Sequence, residues 1–149
     1  MKNKINIKNK KAYHNYEFIE KFICGIVLVG TEIKSISIGK VSLTDSYCYF
    51  INDELFLKGS HVDLYEHGTH YNHEPTRERK LLLTKKELKN LKKDLSVGGL
   101  TIVPTQLFIN EKGLCKVEIA LAKGKKTHDK RETIKKNDIQ RENKRKIKM

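Results

Sequence analysis

The side chains best suited by type and spacing to do chemistry here are cationic and aromatic. The chemistry they suit is phosphate neutralisation and base stacking. Lys123-Gly-Lys-Lys126 sets three ammonium groups around Gly124, a residue whose bare backbone can come close to a phosphate. His128 follows, with a flat ring for an unpaired base and ring nitrogens that donate to phosphate; Asp129, Lys130 and Arg131 stand beside it. Arg77 and Arg79 lie at i, i+2 on an extended segment next to Lys80. That spacing puts both guanidinium forks on one face, a geometry for bidentate phosphate contact. Surface pairing with Glu74 and Glu78 is the alternative. Asn9, Lys10, Lys11, His14 and Tyr16 mix basic and aromatic groups as contacts to single-stranded RNA do.

Other chemistries find less support. His61, Asp63, Glu66, His67, His70 and His73 crowd one stretch, but H-x-x-H-x-x-H in a loop does not fix ligand geometry. No metal site and no cofactor is expected. No Ser/His/Asp order, G-x-S-x-G or P-loop occurs. Glu32 is the one carboxylate imaginable as a general base, and a helix-surface salt bridge or RNA-facing contact fits it better. The expectation is a protein that is not an enzyme.

Charge points the same way. The 149 residues carry net +13, and residues 123–149 hold 12 Lys/Arg against four Asp/Glu, so this segment alone carries +8. A polyanion partner follows, nucleic acid before an anionic membrane surface, since the tail lacks the apolar face membrane binding needs. Lys (26) outnumbers Arg (5), so part of the total reflects composition, and the local concentration of charge is the better evidence. Cys24, Cys48 and Cys115 are odd in number, far apart and inside apolar runs, which predicts buried reduced thiols. The first 11 residues have no apolar h-region, and no stretch reaches membrane-spanning length. A soluble, cytoplasmic protein is expected.

The elements that must position these groups read as five or six strands and two helices. Tyr16–Val29 is an extended run with Tyr16, Phe18, Phe22, Cys24, Ile26 and Leu28 facing inward and a bulge or bend expected near Gly25. A short helix follows from an N-cap at Thr31 to Gly39, with Ile33, Ile36 and Ile38 to one side. Asp45–Ile51 and Glu54–Lys58 form a hairpin about Asn52-Asp53, and 59–76 reads as loop. Thr84 and Glu87 make a capping box for a helix that buries Leu88, Leu91 and Leu95 and stops at Gly98-Gly99. Leu100–Ile109, with a bulge or edge at Pro104, turns at 110–113 into Leu114–Ala122. Short antiparallel connections without a βαβ rhythm predict a mainly β, α+β fold: a small closed barrel of the oligonucleotide-binding type with flanking helices over residues 1–122, including a short basic N-terminal arm (1–11). Residues 123–149 form a tail with few large aliphatics, expected to be disordered when free and helical once its charge is screened.

The ordered set Asn9-Lys-Lys-Ala-Tyr-His-Asn-Tyr16, Gly30-Thr-Glu-Ile-Lys-Ser35, Asp45-Ser-Tyr47, Pro75-Thr-Arg-Glu-Arg-Lys-Leu-Leu-Leu83, Val103-Pro104 and Ala122-Lys-Gly-Lys-Lys-Thr-His-Asp-Lys-Arg131 resembles the SsrA-binding (small protein B) family, bacterial partners of transfer-messenger RNA (tmRNA). The resemblance runs from about Asn9 to the C-terminus. It implies a barrel that grips the tRNA-like domain of tmRNA and a tail that enters the empty mRNA channel of a stalled ribosome. There the tail folds as a helix near the small-subunit decoding centre, and trans-translation tags the nascent chain. On this basis the barrel-side RNA contacts are assigned to Asn9, Lys10, His14, Tyr16, Glu32, Lys34, Arg77, Arg79, Lys80, Leu82, Thr84, Lys123, Lys125 and Lys126. His128, Asp129, Lys130 and Arg131 are assigned to the decoding centre. The partners implied are tmRNA and the ribosome, without a membrane, for a protein acting as a monomer. Ile23 departs from the family, which usually carries Glu two residues before the glycine matching Gly25; Thr84 stands where relatives often have Asn or His. A general RNA-binding or ribosome-associated barrel protein is the alternative reading.

Overall fold

The computed structural model describes residues 5–68 and 72–125. In chain order the elements are β1 (Asn6–Lys8), α1 (Lys10–Asn15), β2 (Tyr16–Ile26), α2 (Gly30–Ser37), β3 (Val41–Ser42), β4 (Tyr47–Ile51), β5 (Glu54–Lys58), β6 (His61–Val62), β7 (Arg79–Leu82), α3 (Lys85–Ser96), β8 (Leu100–Ile109) and β9 (Cys115–Gly124). The main sheet is antiparallel. Its pairings run β8–β4–β5–β7–β2–β9 and return to β8, so six strands form a ring, with β1 added on β8. This is the expected mainly β, oligonucleotide-binding type of architecture. The strand count is higher than expected because β1 and the β3–β6 ladder are too short to leave a period-two trace in the sequence. That ladder also corrects the reading of 59–76 as loop throughout, since Ser42 pairs with His61 and Val41 with Val62.

The ring encloses a core of Leu55, Leu57, Leu81, Ile102, Leu107, Val117 and Ile119, all at most 2% exposed. The β4–β5 hairpin turns on Asn52 and Asp53, both at positive φ (47° and 67°), the backbone a two-residue type I′ turn requires. Helix α3 caps the core with Leu91, fully buried between half-buried Leu88 and Leu95. Thr84 Oγ1 accepts from Glu87 N–H at 3.2 Å, and Glu87 Oε1 accepts from Thr84 N–H at 3.0 Å, so the capping box forms as expected. Helix α2 ends in a Schellman motif, with Gly39 at φ 79° and Lys40 N–H reaching back to Ser35 C=O at 3.0 Å. Its start differs from expectation. Val29 occupies the N-cap position without a side-chain cap and Thr31 lies within the first turn, while the Glu32 carboxylate accepts from the Val29 N–H at 2.9 Å. No helix among the described residues is long and apolar enough to cross a membrane.

Two bulges set which side chains face which way. In β8 the register to β9 shifts between Pro104 and Gln106, as the proline suggested. In β2 the shift lies between Phe18 and Glu20, not at Gly25 as expected from the sequence. Directly paired residues share a face. Phe22 and Cys24 pair with Ile119 and Val117 and face the main core, whereas Phe18 pairs with Ala122 on the opposite face. Tyr16 and Phe18 therefore leave the inward set assigned to them and pack with Ala12, Val103 and Ala122 under α1. Strand β9 continues through Gly124, two residues past the boundary expected at Ala122.

Candidate nucleic-acid interface

The sequence-derived site residues fall into two groups at the ends of β2, roughly 30 Å apart along an eleven-residue strand. The first surrounds the root of the basic tail. Tyr16 pairs with Gly124 and Glu17 with Lys123. Lys125 N–H donates to Asn15 C=O at 2.9 Å, and its Nζ reaches Tyr13 C=O at 3.3 Å, so the chain leaves the sheet tied to α1. Lys10 and Lys123 are exposed, and His14 and Tyr16 half-buried. A Cβ placed on Gly124 would meet nothing within 4 Å, leaving its backbone open to approach.

The β2 bulge adds three groups that the sequence reading did not include. Lys21, on the same face as Phe18 after the extra residue, holds its ammonium 5.5 Å from the ring centroids of both Tyr13 and Phe18. Those two rings meet edge to face at 4.9 Å. A cation beside an exposed tyrosine ring and a half-buried phenylalanine, next to a lysine-rich strand end, suits unpaired bases and phosphates. The available signal was Glu20-Lys21 interrupting the run from Phe18 to Phe22, charge at a position a plain alternation would bury. Asn9 belongs to the scaffold of this patch instead of its surface. It is 3% exposed, its Oδ1 accepts from Ala12 N–H at 3.2 Å, and its Nδ2 donates to Pro104 C=O at 2.9 Å. The RNA contact expected of Asn9 is corrected to helix capping, which closes the gap beside the β8 bulge.

The second group lies on α2 and β7, and here the correction is larger. Glu32 and Arg79 are both 0% exposed. Arg79 Nε donates to Glu32 Oε2 while its other nitrogens reach Ser60 C=O (3.2 Å), Ser60 Oγ (3.1 Å), Arg77 C=O (2.9 Å) and Pro75 C=O (3.0 Å). Arg77 Nη2 donates to Glu32 Oε1 at 2.6 Å and to Val27 C=O at 3.3 Å. Both forks converge on one buried carboxylate, so neither the phosphate face nor the Glu74/Glu78 pairing describes Arg79, and Glu32 is no helix-surface group. Burial works to raise the Glu32 carboxyl, but hydrogen bonds from Arg77, the Val29 N–H and Arg79 outweigh it and hold it below the ordinary range. Burial pulls Arg79 down, against the pull of Glu32. The cluster ties Ser60, Pro75 and Arg77 to α2, helped by His73, whose Nδ1 lies 2.8 Å from Thr31 Oγ1 and Nε2 2.9 Å from Val62 C=O.

What remains on this surface is Lys34, exposed; the outer edge of Arg77; Lys80, paired with Glu54 at 3.1 Å; and Leu82, 51% exposed. Thr84 is occupied by its capping role. Gly25 pairs with Leu82, and a Cβ at Gly25 would touch the leucine side chain at 3.4 Å. Ile23, two residues away and 61% exposed, extends this apolar spot. The remaining histidines are separately engaged: His61 with Asp63 at 3.1 Å, His67 edge to face with Tyr65 at 5.4 Å. His70, Lys126, His128, Asp129, Lys130 and Arg131 lie outside the described residues.

Comparison with known proteins agrees with this arrangement. The family model described as SmpB protein matches residues 6–149. The SsrA-binding protein of Phocaeicola vulgatus is 58% identical over 138 residues, covering 93% of this chain and 92% of its own. That of Christiangramia forsetii is 55% identical over 141 residues, covering 95% and 90%. A chain of the solved structure described as "tmRNA-SmpB: a journey to the center of the bacterial ribosome" superposes with a TM-score of 0.69 at 43% identity, over 83% of this chain and 86% of that one. With the match running through the ring of strands, the ion cluster and the basic C-terminal segment alike, the chain belongs to the SmpB family.

Proposed function

We propose that this protein is a non-catalytic, cytoplasmic RNA-binding adaptor. It binds the tRNA-like domain of tmRNA and delivers it to stalled ribosomes for trans-translation. The observation that carries the reading is the near full-length similarity to proteins named for SsrA binding, together with the likeness to a chain in a tmRNA-SmpB ribosome structure. The described surface supports it. Exposed Lys10 and Lys123 and the Tyr13–Phe18–Lys21 cluster offer charge and stacking at the point where the basic segment leaves the sheet, while Lys34, the edge of Arg77 and Leu82 offer a second footing. The basic tail, 123–149, acts in the vacant mRNA channel, with His128, Asp129, Lys130 and Arg131 at the decoding centre. The protein works as a monomer, and its domain division is a barrel that holds RNA and a tail that tests the ribosome.

Gel-shift titration with tmRNA against an unrelated tRNA tests the first half: selective binding of tmRNA is expected, and equal affinity for both reduces the protein to a general RNA binder. Deleting residues 127–149 tests the second half. The truncated chain should keep its tmRNA affinity and lose peptide tagging; affinity and tagging falling together would make the tail electrostatic glue.

A further inference from the structure

A groove of about 860 Å³ runs between α3 on one side and the β4–β5 turn and β7 on the other. Its floor is aliphatic, formed by Leu82, Leu83 and Leu88 with Phe50 at one end. Along its α3 edge stand Lys85, Lys89 and Lys93. Residues four apart on a helix share a stripe and advance by about 6 Å, so the three ammonium groups form a row about 12 Å long beside the floor. The facing wall is already neutralised: Lys92 pairs with Asp53, and Lys80 with Glu54 at 3.1 Å. Among the described residues Lys85, Lys89 and Lys93 have no carboxylate within salt-bridge distance.

We infer that this groove docks an acidic amphipathic helix of a partner protein, with aliphatic side chains on the floor and carboxylates repeating every turn against the lysine row. Helical pitch is the same on both sides, so one register satisfies all three lysines. The chemistry discriminates against the other occupants. An aliphatic floor seats apolar side chains, which a sugar-phosphate backbone does not supply, and with Asp53 and Glu54 already held by Lys92 and Lys80 the row of Lys85, Lys89 and Lys93 sets the charge of the groove. The basic segment 123–149, at net +8, is repelled by the same lysines that an acidic helix would neutralise.

The test uses the full-length, isotope-labelled protein and a synthetic helical peptide with leucines along one face and glutamates every fourth residue beside them. Amide shifts confined to α3, the β4–β5 turn and β7 are expected. The Lys85→Glu/Lys89→Glu/Lys93→Glu variant, altered only on exposed side chains, should bind this peptide about tenfold more weakly. A peptide with lysines in place of the glutamates should show the reverse preference, binding the variant better than the parent. Absence of shifts, affinity indifferent to either charge reversal, or shifts outside the groove would overturn the inference. So would a single-stranded oligouridylate that moves the same amides, because the groove would then be a nucleic-acid surface.

Discussion

Replacing Glu32 by Gln tests the central structural correction. The carboxylate and Arg79 are both fully buried, so the substitution removes one member of a buried pair and leaves a guanidinium facing an amide. Breaking such pairs costs about 3–5 kcal/mol. The lower end applies here, because Arg79 keeps the carbonyls of Ser60, Pro75 and Arg77 as acceptors. A loss of about 3 kcal/mol is a large part of a total stability of roughly 5–15 kcal/mol and lowers Tm by about 10 °C. Urea and thermal unfolding followed by circular dichroism measure it. The double variant Glu32→Gln/Arg79→Met should cost less than the sum of the singles by about 1–3 kcal/mol, since the stranded charge is then gone. The pH dependence follows from the direction of the shift. The folded carboxyl lies below its ordinary 4.5, so its contribution is complete above that value and is lost as pH falls through the folded pKa. The parent protein should lose stability below pH 4.5 more steeply than the Gln variant. At a temperature where both are folded, tmRNA affinity should be the same. A cost under about 1 kcal/mol, additive singles, or a tenfold loss of tmRNA affinity in the folded variant would refute the assignment of Glu32 and Arg79 to the scaffold.

Three further outcomes are expected. Asn9→Ala removes both the α1 cap and the bond to Pro104 and should cost about 1–2 kcal/mol in urea unfolding, with faster amide exchange in α1. Lys21→Ala and Tyr13→Ala should weaken tmRNA binding in distinguishable ways. The lysine change lowers the slope of log affinity against log salt by about 0.7–0.9, and the tyrosine change lowers affinity by about 1–3 kcal/mol at unchanged slope. The thiols should be inert in the folded protein at pH 8, where burial pushes Cys24 up to about 12, Cys115 to about 11 and Cys48 well above the usual thiol range. A thiol-reactive dye should then label all three only after denaturation.

Much of this molecule could be read from residue order because the information was local. The Thr84/Glu87 box lies within one helical turn, the Asn52-Asp53 turn needs only two residues that tolerate positive φ, and the alternation of Val117, Ile119 and Leu121 marks its strand without reference to any neighbour. The concentration of positive charge toward the C-terminus was equally plain, since charge is counted without knowing the fold. Facing is another matter. One extra residue in β2 turns Tyr16 and Phe18 away from the core and brings Lys21 over two rings, and that bulge is defined by its register against β9, more than a hundred positions away in the chain. The same holds for Arg77 and Arg79. Their spacing looks like a phosphate clamp until α2 delivers Glu32, 45 and 47 positions away, into the space between them. A cation takes whichever anion the packing supplies, and only the closed ring of strands decides whether that anion is a buried carboxylate or an RNA phosphate.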